Sequence, residues 1–164
     1  MEPTPKNVRI LAIDPTLRGF GFAVLEGPER LVDWGVAEVW SRSSKEFLSR
    51  VESFIDRHHP DIIVLEDLND TRRGKKARNK TALVGAHAIS RRIAVRMVSR
   101  KQVRDAFQMY GLTKFQVAQA IAKMFPELTP RLPRHRKPWM SEDERMNIFD
   151  AASFGLTALL LNRP

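Results

Sequence analysis

Cysteine is absent from this chain of 164 residues, which excludes a disulfide scaffold, a thiolate metal site and a cysteine nucleophile. No apolar run reaches the length of a membrane span and no secretory signal stands at the start. The expectation is therefore a soluble, cytoplasmic protein with no membrane partner. Internal repeats and low-complexity tracts are also missing, and the search for internal boundaries returns one unit. Residues 1–164 are read as a single domain, with residues 1–7 as a polar lead-in. That length is enough to bury a core without covalent staples.

Acidic residues are few beside basic ones, 19 against 28, giving a formal charge of +9 and a pI near 10.5. Such a balance favours a polyanionic partner, because each lysine or arginine that neutralises a phosphate releases condensed counterions. The charge is clustered. One group is Arg72, Arg73, Lys75, Lys76, Arg78 and Lys80; the other is Arg131, Arg134, His135, Arg136 and Lys137. Both lie in turn-like sequence, where they are expected to drape over a ligand. Residues 126–141, with four prolines, are read as a basic loop that orders on binding rather than as a folded element.

Against this background the stretch from Val8 to Leu25 stands out. Ile10 to Ile13 is too continuously apolar for a half-exposed strand and predicts a central strand covered on both faces. It ends in Asp14, turns at Pro15, and Gly19 and Gly21 allow a reversal into a second strand. The residues from Leu31 to Trp40 alternate and complete a three-strand antiparallel meander, in which Trp34 and Trp40 fit strand packing. An amphipathic helix over residues 41–58 follows, and Pro60 ends it. Ile62 to Leu65 then repeats the opening logic: four apolar residues followed by an acid, Glu66. With a helix between, this strand crosses over and lies parallel beside the first, so Asp14 and Glu66 emerge at the same edge of the sheet.

Residues 81–91 read as a helix carrying His87 among apolar neighbours, more consistent with packing than with ligation. Residues 93–98 form a fifth strand. Capping boxes begin at Ser99, Thr113 and Ser141 and launch three helices. The last contains Asp150 between Phe149 and Ala151, and an acid that deep in an apolar helix is costly unless paired or metal-bound. Asn147 and Asp143 share its face.

Taken singly, each acid has a plainer reading: Asp14 opens a turn, Glu66 ends a strand in solvent, Asp150 pairs with an arginine. Jointly they point to hard divalent ions, since converging carboxylates repel one another without them. Two ions roughly 3.5 to 4 Å apart would activate water and stabilise a leaving oxygen in an in-line displacement. Basic clusters beside such a site suggest a phosphodiester in nucleic acid. The joint reading requires Asp150 to lie within a metal bridge of the other two rather than face solvent or be locked to an arginine.

The sequence resembles the ribonuclease H-like superfamily and, within it, RuvC-type Holliday junction resolvases. The residues that carry the likeness are Ile13-Asp14-Pro15 with Gly19-Phe20-Gly21, Ile63-Val64-Leu65-Glu66, Arg100-Lys101-Gln102-Val103-Arg104, the stretch from Gly111 to Val117, and Asp150-Ala151-Ala152. The resemblance implies an α/β fold with a central five-stranded mixed sheet flanked by helices. It further implies a Mg²⁺-dependent endonuclease, with Mn²⁺ able to substitute and two ions per site, acting as a homodimer on branched DNA such as a four-way junction. Asp14, Glu66 and Asp150 match the family's metal-binding acids. Lys114 matches a lysine near the scissile phosphate, and Lys101 and Arg104 fall in a DNA-contacting segment.

Four departures qualify the match. The turn after Asp14 is short. Asn147 stands where the family usually has Asp or His, so the metal set would be completed by this amide or by Asp143 or Glu144. Glu66-Asp67-Leu68-Asn69 lacks the aromatic that wedges open a junction. The 126–141 connection is long and basic, and its Trp139 is placed to stack on a base. Two other readings follow: a nuclease of the same fold acting on an RNA-DNA hybrid, a fork or a precursor RNA, and a non-catalytic DNA-binding module.

Overall fold

The computed structural model describes residues 7–69, 74–110 and 113–161. Strands β1 (Arg9–Thr16), β2 (Gly19–Glu26) and β3 (Leu31–Glu38) form the antiparallel meander, and α1 (Ser44–His58) leads to β4 (Ile62–Glu66), which lies parallel to β1. Helix α2 (Lys75–Ser90) carries the chain to β5 (Ala94–Val98), parallel to β4. Helices α3 (Arg100–Phe107), α4 (Lys114–Met124) and α5 (Met146–Leu161) complete the order. The five strands lie in the order β3-β2-β1-β4-β5, the mixed sheet expected of a ribonuclease H-like fold.

Residues 10–15 of β1 are buried, as a strand covered on both faces requires. Its alternate residues divide between two cores. Ile10 and Ala12 pack with α3, α4 and α5, and Leu11 and Ile13 pack with Phe47, Val51, Phe54 and Val84 of α1 and α2. Most of α5, from Ile148 to Ala158, is buried. It approaches the sheet so closely at Gly155 that a Cβ there would lie 2.8 Å from Leu25 Cδ1.

Four expectations change. Helix α2 begins at Lys75 rather than near residue 81, so Lys75, Lys76, Arg78 and Lys80 sit on a helix and not in a draping turn. Lysine, arginine and alanine are good helix formers, and the segment needs no apolar stripe to extend the helix by a turn and a half. The Pro-rich connection is folded in its first part, a 3₁₀ helix over Pro126–Arg131 whose Leu128 is fully buried. Helix α5 starts at Met146, not after a capping box at Ser141: the Asp143 side chain accepts from the backbone N–H of Arg145, 2.9 Å away, and its carbonyl from that of Met146. Trp40 does not pack on the sheet. It lies beyond the end of β3, 77% exposed, with the Arg18 guanidinium 5.9 Å from its ring centre.

Candidate active site

Two strand ends and one helix face supply the acids. In the parallel pairing Ala12 stands opposite Val64, so Asp14 and Glu66, two residues further along each strand, leave the sheet at the same edge. Asp14 also pairs in register with Gly21 of β2. A Cβ on Gly21 would fall 2.5 Å from Asn147 Cβ and 2.6 Å from its carbonyl carbon, closer than real Cβ contacts come. Glycine at 21 therefore lets the first turn of α5 lie directly on β2, and Asp150 follows three residues later on the same helix.

The outcome is a single cleft of about 310 Å³ lined by Asp14, Glu66, Arg100, Lys114, Glu142, Asn147 and Asp150. Asp14 and Glu66 are each 1% exposed and Asp150 5%. Burial of three carboxylates demands compensation, and the cleft contains it. Arg100, the first residue of α3, donates from Nε to Glu66 Oε1 at 3.0 Å and from NH1 to Asp150 Oδ1 at 3.1 Å. Its guanidinium lies 4.8 Å from the ring centre of Phe154. Burial pushes the Arg100 pKa down, but Asp150, Glu66 and Asp14 push it up by more, so the net shift is upward and the group stays charged. Lys114 Nζ, at the start of α4, stands 3.1 Å from Asp150 Oδ2 and 3.0 Å from Glu142 Oε1.

Asp150 is thus held by an arginine, the plainer of the two sequence readings. The expectation that it would be free of one is not met, but the same guanidinium holds Glu66, so the ion pair keeps Asp150 beside that acid in the cleft that Asp14 also lines. Among the described residues no three histidine, cysteine, aspartate or glutamate side chains are gathered tightly enough to ligate one ion as they stand. The oxygen donors that line the cleft, the carboxylates of Asp14, Glu66, Glu142 and Asp150 and the Asn147 amide, are nonetheless all hard, the set that suits Mg²⁺ or Mn²⁺. Of the acids considered as completing that set, Asp143 is engaged by Arg145, with contacts of 2.6 and 3.0 Å, and the Arg145 hydrogen bond lowers its pKa. Glu144 lines a neighbouring groove with Thr16, Arg18, Trp40 and Asn147. Asn147 is the member of the trio that reaches the acid cleft.

Arg104 lines a hollow that also includes Arg100, Lys114 and Asp150. Lys101 is exposed and pairs with Asp105 at 3.1 Å. Lys75, Lys76 and Arg78 are exposed along α2, whereas Lys80 turns inward and donates to the carbonyls of Thr16 and Leu17 in the β1–β2 turn. Arg134, Arg136 and Lys137 are exposed, Arg136 donating to the Met140 carbonyl at 2.9 Å and Lys137 lying over the ring of Trp139. Arg72 and Arg73 lie outside the described residues. His87 Nε2 contacts a carboxylate oxygen of Glu52, so it joins α2 to α1 through a polar contact more than it packs among apolar neighbours.

Arg100 and Glu142 were not singled out as site residues by sequence reasoning. Arg100 had one available signal, its place in the Arg100-Lys101-Gln102-Val103-Arg104 stretch, whereas nothing local in the sequence marks Glu142.

No family model matches the chain, and no curated protein matches it. Among solved structures, the chain is similar to that described as T. thermophilus RuvC in complex with Holliday junction substrate, with a TM-score of 0.65, 19% identity, and 94% of each chain covered. It is equally similar to the Thermus thermophilus RuvC structure, with a TM-score of 0.64, 19% identity, and coverage of 94% of this chain and 95% of the other. The sheet order and this likeness together show that the chain has the ribonuclease H-like fold in the form that RuvC takes.

Proposed function

We propose that the chain, acting as one nuclease domain, is a metal-dependent endodeoxyribonuclease that cuts branched DNA, above all a four-way junction, by phosphodiester hydrolysis. The observation that carries the reading is the convergence of three buried carboxylates, Asp14, Glu66 and Asp150, from β1, β4 and α5 into one cleft open to solvent. Among the likenesses, a structure whose printed description is RuvC with a Holliday junction supports the choice of substrate.

Asp14, Glu66 and Asp150, with the Asn147 amide, would hold Mg²⁺, for which Mn²⁺ would substitute. Divalent cation bound there supplies the charge that activates water and steadies the departing oxygen. The chain's own residues do the rest. Lys114, on the rim beside Asp150, brings hydrogen-bond donors and positive charge to the phosphate. Arg104 and Lys101 on α3, Lys75, Lys76 and Arg78 on α2, and Arg134, Arg136 and Lys137 in the connection before α5 receive the phosphate backbone around the cut. Two copies of the chain would place two clefts on a two-fold junction and nick it symmetrically, a role in DNA recombination and repair.

A second reading keeps the chemistry and changes the substrate. Leu68, in the segment after Glu66, is buried and Asn69 beside it is a small polar residue, so this segment offers no aromatic to part the bases. An end-labelled four-way junction, a fork, a flap, an RNA-DNA hybrid and a linear duplex, each incubated with MgCl₂, separate the readings. Paired nicks at symmetric positions of the junction, well ahead of the other substrates, are expected. Preference for the hybrid or the fork selects the second reading, and retained DNA binding without any cleavage leaves a non-catalytic module.

A further inference from the structure

We infer that Arg100 stands in the place of one divalent cation, so that each cleft takes up a single such ion and not two. This rests on the nuclease reading above and concerns the make-up of its metal complement.

The first ground is geometric. One planar guanidinium spans Glu66 of β4 and Asp150 of α5 at 3.0 and 3.1 Å, so the bridging of these two carboxylates is already accomplished by a side chain. Arginine is suited to this because its donors form a rigid fork and its charge cannot be lost by deprotonation. The second ground is anchorage. Arg100 is the first residue of α3, directly after Ser99. The Ser99 hydroxyl accepts from the Gln102 N–H, and the Gln102 side chain accepts from the Ser99 N–H, a complete capping box that fixes the backbone at that point. The Phe154 ring lies against the guanidinium. Swinging Arg100 away would take from Glu66 and Asp150 the one cation that they share, which is costly for carboxylates as buried as these.

The third ground is charge. The cleft is lined by four carboxylates, Asp14, Glu66, Glu142 and Asp150, and by two cations, Arg100 and Lys114. The excess of two negative charges equals one divalent ion. A second would reverse the sign of the cleft beside an arginine that cannot discharge. The residue on the other flank, Asn147, is an amide and adds no negative charge to attract it.

Equilibrium titration of the full chain with MnCl₂, with free Mn²⁺ read by electron paramagnetic resonance, tests the inference without any cleavage. One ion per chain is expected for the parent and two for Arg100→Gln, which removes the charge and the fork while keeping much of the side chain's bulk. Two ions on the parent, or one on both proteins, would overturn the inference and leave the nuclease reading standing. Absence of Mn²⁺ binding to either protein would contradict the metal-dependent reading itself, and the inference with it. Should Arg100→Gln not fold, crystals of the parent soaked in MnCl₂ give the same decision. A single anomalous peak with Arg100 still on Glu66 and Asp150 agrees, and two peaks, or an Arg100 turned out of the cleft, disagree.

Discussion

The two walls of the acid cleft are built differently. The sheet wall presents Asp14 and Glu66 from adjacent parallel strands, where backbone hydrogen bonds fix the spacing and burial removes side-chain freedom. The helical wall presents Asp150 together with Arg100 and Lys114, from three helices whose relation depends on side-chain packing. The sheet wall contributes negative charge alone, and the helical wall contributes the cations that hold it in check. Strand pairing makes the sheet wall the rigid half of the site, and helix packing, with the ion pairs of Arg100, joins the other half to it.

That contrast predicts different consequences for the two walls. Glu66→Gln should lower junction cleavage about 10³-fold or more, as loss of a group that works as part of a unit does, and should also weaken Mn²⁺ binding. Retention of cleavage within tenfold of the parent would break the contrast on the sheet side. Lys114→Ala should lower cleavage about 10²-fold, in the range for removing one electrostatic stabiliser, without weakening Mn²⁺ binding. A matching loss of metal affinity would place Lys114 in the rigid half instead.

The joint between the walls is Gly21. Gly21→Ala forces a methyl group into Asn147 and the backbone of α5, and overpacking of this kind costs about 1 to 3 kcal/mol. Thermal unfolding should show a midpoint several degrees below the parent, with cleavage reduced at temperatures where the variant remains folded. An unchanged midpoint would mean that α5 does not rest on β2 as described. The smallest effect is expected at the other end of the sheet. His58 is buried beside Asp33, whose Oδ2 lies 3.0 Å from Nε2, and its backbone carbonyl accepts from Arg9 at the start of β1. Burial first, then the charges of Arg57 and Arg9, together lower the His58 pKa by more than Asp33 raises it. The folded state therefore binds its proton less readily than the unfolded chain, and the stability this contributes is present above about pH 6.5 and lost as the pH falls below it. Chemical denaturation from pH 7.5 to 5 should show a steeper fall for the parent than for His58→Gln, and parallel curves would exclude the linkage.

The sheet wall was readable from sequence because everything that builds it is local: an apolar run, an acid, a turn, then a second apolar run and acid after a crossover helix. Asp150 was readable for a related reason, as a carboxylate surrounded by Phe149, Ala151 and Ala152 needs a partner. What the sequence did not show is which partner. Arg100 meets Glu66 and Asp150 across 34 and 50 residues of chain, and no periodicity encodes such a meeting. Trp40 was read as strand packing because it continues the alternation of β3, yet the strand stops at Glu38 and the ring turns to solvent. The stretch from Lys75 to Lys80 is turn-like in sequence, although its composition is compatible with the helix it forms. The 3₁₀ turn at 126–131 was hidden by its prolines, whose local signal of a loop was outweighed by the burial of one leucine, Leu128.

The central claim is that Asp14, Glu66 and Asp150 act together on a phosphodiester. Comparison of the parent with Asp14→Asn on a labelled four-way junction, cleavage and binding measured in the same MgCl₂ buffer, tests it most directly. Paired nicks by the parent, with cleavage abolished and DNA affinity kept in the variant, are predicted; equal cutting by both proteins would contradict the account.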